Sequence, residues 1–432
     1  MITRTGYVLV SSLILISFIS LFLSITWIYL FCLFLYFFVF YDAIIFRRNS
    51  KRLKNLSLNR LIESTAVYYN FPFKVKLRIT NMDKRSIKHL LIIEEIPLGF
   101  SILEGKTIFW GEIKNSVEIE YTLKSLQIGV HEFKNVTIII FDPLILFFKK
   151  IKVPLYTKVE VMPMINMPLT IPYIRTLGFV KEYGFKESKV KGIGYDFYGI
   201  REYQLGDDLR YIAWRNVAKS PERKFFIIER EEENKTDVLI LLDVSMSMAE
   251  GYEGKRKFDF AALAISNLSY LIIRNEDRLH LAYFSSNNLD YIKIERYSQV
   301  PILLNKLSKI KLSGHKNFKK IYEFIMQNNL QEYYKIIITD RYLNHEDIKS
   351  IKEINNLGNL AVIILSSFCN LIYDDIIKLY INYEKINIEN LLREFNKYQI
   401  KCLISELDDL QEMLIYLYKI SKYYIKKRRV LI

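Results

Sequence analysis

Asp243-Val244-Ser245-Met246-Ser247 sets one carboxylate and two hydroxyls at alternate positions, a spacing that lets a single turn present all three oxygens together. Hard oxygen donors of this kind suit octahedral Mg²⁺ or Mn²⁺. A second carboxylate, Asp340, closes the apolar run Ile336-Ile337-Ile338-Thr339. It joins the first group if the two runs are neighbouring strands. A metal ion held by so few protein groups keeps open positions that an Asp or Glu of a partner can fill, which is adhesive chemistry and needs no catalysis. The plain alternative is that these serines and aspartates are strand-end and helix-cap residues, a role in which Ser and Asp are favoured for their local hydrogen bonds.

A second concentration of polar chemistry lies upstream, where Gly192, Gly194, Arg201, Glu202, Tyr203, Gly206, Asp207, Asp208, Arg210 and Trp214 crowd together. It is not a phosphate loop, because no apolar strand precedes the glycines and no Lys-Ser/Thr follows them. Mixed charges interleaved with aromatics suggest a rigid loop held by Arg-carboxylate pairs and docked on a neighbouring domain. Asp207 and Asp208 could serve as an acid/base pair, although adjacent side chains on a turn point apart. A metal-dependent hydrolase built on Asp207, Asp208 or Asp243 is the alternative functional class, and the sequence offers it no GxSxG, no HExxH and no evident His or Cys base. His89, His131, His280, His315 and His345 are scattered singly, and Cys32, Cys369 and Cys402 form no CxxC, so a disulfide framework or zinc site is not expected and a reducing compartment is.

The elements that must position Asp243 are legible around it. Asp237 to Leu242 reads as a buried parallel strand, and Phe258 to Arg274 as an apolar helix behind a glycine-containing loop. Further strands are expected at 279–284, 335–338, 360–365 and 400–404, with helices near 300–311, 317–329, 345–356, 374–397 and 406–425. Repeated β-α alternation implies a doubly wound, mainly parallel sheet, in which ligands bind beyond the carboxyl ends of the strands. Asp243 and Asp340 are then placed at such ends.

The rest of the chain is of a different kind. Tyr7 to Phe46 carries no charge except Asp42, and about 40 helical residues would extend roughly 60 Å, twice the hydrocarbon thickness of a bilayer. Two spans are therefore expected, 6–23 and 26–46, as a hairpin. Arg47, Arg48, Lys51, Arg52, Lys54 and Arg60 follow directly without an acidic residue, which places that flank in the cytoplasm against anionic lipid headgroups and accounts for much of the formal net charge of +15. No nucleic-acid motif accompanies these cations. Between 61 and 163 short alternating stretches, such as Phe73 to Ile79, are separated by turn residues and fit a small antiparallel β-sandwich.

The stretch from Gly192 through Trp214, then Glu229 and Leu241-Leu242-Asp243-Val244-Ser245-Met246-Ser247-Met248, resembles the family called domain of unknown function 58. Members of that family have two N-terminal spans, a β-rich domain ending in a motif like Asp142-Pro143-Leu144, the signature segment, and a von Willebrand factor A-like module. The resemblance implies the divisions 1–48 (spans), 49–60 (basic juxtamembrane segment), 61–163 (β-sandwich), 164–235 (signature) and 236–432 (A-like module). It also implies a multi-pass protein of the cell membrane whose soluble part faces the cytoplasm. There it would act as an adaptor or co-chaperone for a MoxR-type AAA+ ATPase or its client protein, without being an enzyme; an extracellular adhesin would need the opposite topology. By the same resemblance Asp243, Ser245, Ser247 and Asp340 take the metal-adhesion positions. The usual threonine is missing: Gly314-His315-Lys316-Asn317-Phe318 resembles a Gly-Gly-Thr-Asn-Leu segment with Lys316 in the threonine's place, where an ammonium would repel Mg²⁺ or replace its charge.

Overall fold

The computed structural model describes residues 2–23, 26–83, 85–166, 191–219, 224–231, 235–252, 254–366 and 375–430, and it divides into two compact units near Pro163. The expectations for Cys369 and for most of 164–190 fall outside the described residues.

In the first unit, helices α1 (Arg4–Phe22) and α2 (Thr26–Lys51) are long and apolar enough to cross a membrane. Most of their large side chains, among them Phe18, Phe22, Phe34 and Phe37, are turned outward. In water that surface would be strongly unfavourable, whereas in hydrocarbon it needs no cover. Thr3 caps α1 by accepting from the Gly6 amide at 3.0 Å, and its own amide donates to the Leu146 carbonyl at 2.8 Å. Phe46, late in α2, stacks on Phe147 at 6.0 Å. The start of α1 and the end of α2 therefore meet the same turn, as a hairpin requires. Asp142 shapes that turn by accepting from the amides of Leu144 (3.0 Å) and Phe147 (2.5 Å), with Ile145 held at φ +57°.

Among the described residues nine strands follow: β1 (Leu56–Ile62), β2 (Ala66–Tyr68), β3 (Pro72–Asn81), β4 (Ile87–Glu94), β5 (Phe100–Gly105), β6 (Ile108–Ile113), β7 (Ser116–Ser125), β8 (Gly129–Phe141) and β9 (Phe148–Met162). They form two sheets, β1-β3-β7-β5 and β2-β9-β8-β4-β6, antiparallel except for β2 beside β9. Strict alternation in β3 buries Phe73, Val75, Leu77 and Ile79 and turns its cations outward, as the sequence pattern predicts. The structure corrects the reading of 49–60 as a juxtamembrane segment, because β1 begins inside it. Arg60 does not serve lipid: its side chain is 0% exposed, bonded to Glu94 and, at 2.6 Å, to the Leu155 carbonyl, with its guanidinium 4.9 Å from the centre of the Phe133 ring.

The second unit begins with a two-stranded antiparallel ribbon, β10 (Lys191–Glu202) and β11 (Phe226–Glu231), with the short helix α3 (Trp214–Lys219) between them. The module proper contains β12 (Asp237–Asp243), the two-residue strands β13 (Gly251–Tyr252) and β14 (Lys255–Arg256), α4 (Lys257–Arg274), β15 (Arg278–Phe284), β16 (Leu289–Ile294), α5 (Val300–Lys309), α6 (Phe318–Gln327), β17 (Tyr334–Asp340), α7 (His345–Asn356), β18 (Leu360–Ser366), α8 (Asp375–Lys397), β19 (Lys401–Glu406) and α9 (Leu410–Val430). The sheet order is β16-β15-β12-β17-β18-β19, parallel except for the edge strand β16. Leu239, Leu241, Ile337, Val362 and Ile364 pack on one face against Phe318, Ile321, Ile348, Ile351 and Phe395 of α6, α7 and α8. The intervening residues Val238, Ile240, Leu242, Ile336 and Ile338 are equally buried on the other face. Burial on both faces is why these strands read as unbroken apolar runs.

Candidate functional site

β12 and β17 lie side by side and parallel, with Leu242 opposite Ile338, so Asp243 and Asp340 emerge at the same edge of the sheet. Both are fully buried. Asp243 Oδ1 accepts from the Ser245 amide at 2.9 Å and Oδ2 from the Thr339 hydroxyl at 2.8 Å. The Ser245 and Ser247 hydroxyls bond each other at 3.0 Å. Burial pushes the Asp243 carboxyl above its ordinary pKa, against the pull of the nearby Lys316 ammonium.

Lys316 is delivered to this group by its own loop. The Gly314 carbonyl accepts from the Met246 amide at 3.1 Å, and the Ser313 amide donates to the Val244 carbonyl at 3.2 Å, so the two loops are fastened together. Gly314 sits at φ +73°, where any Cβ would collide with the Ser286 hydroxyl. Asn317 then caps α6 by accepting from the Lys320 amide at 2.9 Å. Held between these two fixed points, the Lys316 side chain is 6% exposed; its ammonium donates to Asp340 Oδ1 and to the Tyr342 carbonyl (2.7 Å) and lies 3.9 Å from Asp243 Oδ2.

A second layer surrounds the first. Fully buried Lys257 pairs with Glu250, as does Arg341 at 3.3 Å. The Tyr342 hydroxyl donates to Glu250 at 3.1 Å and accepts from Arg341 at 2.5 Å. The Tyr342 ring, in a residue 50% exposed, covers the cluster with Arg341, Lys257 and Lys316 at 4.4, 5.5 and 5.8 Å from its centre. Burial works to raise the Glu250 pKa, but Lys257, Arg341 and Tyr342 together hold it below the usual glutamate value.

These residues do not fit a divalent ion as they stand. Each Asp243 oxygen already accepts a hydrogen bond, the two serine hydroxyls share one, and an ammonium lies against Asp340. Among the described residues no three His, Cys, Asp or Glu side chains are grouped to hold a metal. A divalent charge 4 Å from a lysine ammonium is repelled by roughly 8 kcal/mol at an effective dielectric of 20.

The structure thus brings Asp243, Ser245, Ser247, Lys316 and Asp340 to one place. The signature residues form a separate group on the turn after β10. Arg201 grips Asp207 through two bonds of 2.6 and 2.5 Å, and the Gln204 amide adds a third at 2.8 Å. Asp208 accepts from the Arg210 amide and, at 2.6 Å, from its guanidinium, which keeps the Asp208 pKa low. Each aspartate has its own arginine, so the two are not disposed as an acid/base couple. Glu202 pairs with Lys224 at 3.5 Å, the Tyr203 amide bonds the Phe225 carbonyl at 2.9 Å, and Gly206 makes the turn at φ +106°. Trp214 is 62% exposed, and Leu205 and Leu209 also face outward.

Sequence reasoning missed Thr339, Glu250, Lys257, Arg341 and Tyr342. Thr339, Arg341 and Tyr342 flank Asp340 directly and were within reach. Nothing local marks Lys257, whose partner is reached only when the loop folds back.

Residues 199–356 match the family model described as protein of unknown function DUF58, which bears out the resemblance over the signature and the first part of the module. No curated relative matches the chain. Among solved structures it is similar to an aerotolerance-related membrane protein from Bacteroides fragilis (14% identity, 44% of this chain and 99% of that one, TM-score 0.31). It is also similar to the SpRpn10 VWA domain (14% identity, 41% and 94%, TM-score 0.28) and to the CARDB domain of PF1109 from Pyrococcus furiosus (12% identity, 25% and 94%, TM-score 0.18).

Proposed function

We propose that this chain is a membrane-anchored protein-interaction module, in which a von Willebrand A-like, doubly wound domain offers the edge around Asp243 to a protein partner. The observation that carries the reading is the convergence of Asp243, Ser245, Ser247, Lys316 and Asp340 at the carboxyl end of adjacent parallel strands, where such sheets bind their ligands. Exposed Met246 and Tyr342 on its rim give a partner apolar and aromatic surface to grip. The family resemblance supports a MoxR-type AAA+ ATPase, or its client, as the partner in this reading, with the chain as an adaptor without catalytic activity of its own. Arg47, Arg48, Lys51, Arg52 and Lys54 at the end of α2 support a multi-pass anchor with the soluble part in the cytoplasm, beside anionic headgroups.

Co-purification from membranes tests this. Wild type should recover an AAA+ ATPase or a client that both Asp243→Ala and Lys316→Ala recover at least about tenfold less well, the loss expected when a buried ion pair beside an interface is broken. Equal recovery by all three proteins would remove the Asp243 edge from the interaction.

A further inference from the structure

We propose that the Lys316 ammonium is the resident cation of the Asp243 site, standing where a divalent ion would otherwise bind, so that the module works without metal. The inference concerns the occupant of the site and does not depend on which partner docks there.

Three observations converge on it. The first is placement. Gly314 at φ +73° and the Asn317 cap fix the backbone on either side of Lys316, and the ammonium spans from Asp340 Oδ1 to within 3.9 Å of Asp243 Oδ2. A lysine merely tolerated at a degenerate position would extend to solvent on its flexible stem. This one is almost wholly enclosed.

The second is the donor set. Mg²⁺ and Mn²⁺ require several free oxygens in near-octahedral array. Here the Thr339 hydroxyl and the Ser245 amide each bond one Asp243 oxygen, and the Ser245 and Ser247 hydroxyls share a bond, so these groups are already oriented by the protein itself. Among the described residues of the site Asp340 Oδ2 is the carboxylate oxygen without a hydrogen bond, and it belongs to the carboxylate whose other oxygen already holds the Lys316 ammonium.

The third is charge. Asp243, Glu250 and Asp340 face Lys257, Lys316 and Arg341 within one connected network, and their formal charges cancel. Beside this group stands one further carboxylate, the buried Asp347 at the start of α7, which feels both Lys316 and Asp340, so the two charges of an added divalent ion would be at most half balanced. A partner's Asp or Glu consequently has no open metal position to fill. Contact runs through the rim, by Met246, Ser247 and Tyr342, and is indifferent to chelators.

Mn²⁺ titration of the full chain in detergent, followed by calorimetry and by the electron paramagnetic resonance of free Mn²⁺, decides the matter without any partner present. Wild type should take up no Mn²⁺ at this site at millimolar concentration, and its thermal midpoint should not move with EDTA. Lys316→Thr should gain saturable Mn²⁺ binding, tighter than wild type by at least about tenfold once the like charge is gone, and Asp243→Ala in the same background should abolish the gain. Saturable binding by wild type that Asp243→Ala removes would overturn the proposal. So would a folded Lys316→Thr that gains nothing, since the ammonium would then not be standing in for an ion. Should Lys316→Thr fail to fold by near-ultraviolet circular dichroism, Lys316→Met replaces it with the same gain expected and the same failure overturning the proposal, and Asp243-dependent uptake by wild type overturns it in either case. Failure of partner recovery leaves this readout untouched, so the two proposals fall separately.

Discussion

Lys316 and Glu250 do opposite electrostatic work in the same cluster, and their difference lies in which strand each was built to meet. Lys316 arrives from a loop fixed by Gly314, so its ammonium reaches Asp243 and Asp340. Glu250 follows the Asp243 loop and gathers Lys257 and Arg341. Because the folded pKa of Glu250 is depressed below its ordinary 4.5, its contribution is complete above that value and is lost as pH falls through the lower folded value. Thermal midpoints measured from pH 6 downward should therefore fall less steeply in Glu250→Gln than in wild type. Parallel curves would show that Glu250 carries no such linkage. Gly314→Ala must force a side chain into the left-handed region and against Ser286, and should destabilise by about 1–3 kcal/mol in chemical denaturation.

Among the elements, β1 shows how a strand escapes notice. Its inward residue is Arg60 and its neighbour Leu61 is exposed, the reverse of the usual alternation, so the pattern reads as a basic linker. The reversal is stable only because Arg60 crosses from the first sheet to Glu94 of β4 and the Leu155 carbonyl of β9 in the second. Burial raises the Glu94 pKa and Arg60 opposes it, so removing the arginine strands a buried acid. Arg60→Met should cost about 3–5 kcal/mol in urea unfolding, whereas Arg60→Met with Glu94→Leu should recover most of it. If the double variant is as unstable as the single, the pair contributes more than mutual neutralisation. The edge strands β5 and β16 were also missed, since a strand half open to solvent carries no sustained apolar run.

At the level of the whole chain, a hairpin of two outward-facing apolar helices leads into the two sheets of the first unit, and the start of α1 and the end of α2 meet the turn at Asp142. The basic flank predicts that this side is cytoplasmic. A cysteine at Thr26 should then react with a membrane-impermeant maleimide added to intact cells, while one at exposed Met82 should react only after permeabilisation. The reverse pattern would place the soluble part outside and restore the adhesin reading.

The amino-acid sequence alone determined what depends on local period and composition: two apolar helices long enough to cross a membrane, alternating sandwich strands, and a β-α series with acidic residues closing two apolar runs. Hydrophobic burial imposes those periods on the chain, so they can be read without coordinates. It also supplied Asp243, Ser245, Ser247 and Asp340, while Lys316 came into view only through the family resemblance. Tertiary structure decided who neutralises whom. Whether an ammonium fills a site and whether Arg60 serves a lipid or a buried glutamate both depend on distances between segments far apart in the chain. Electrostatic energy in a buried site changes steeply with those distances, and no spacing within one segment encodes them.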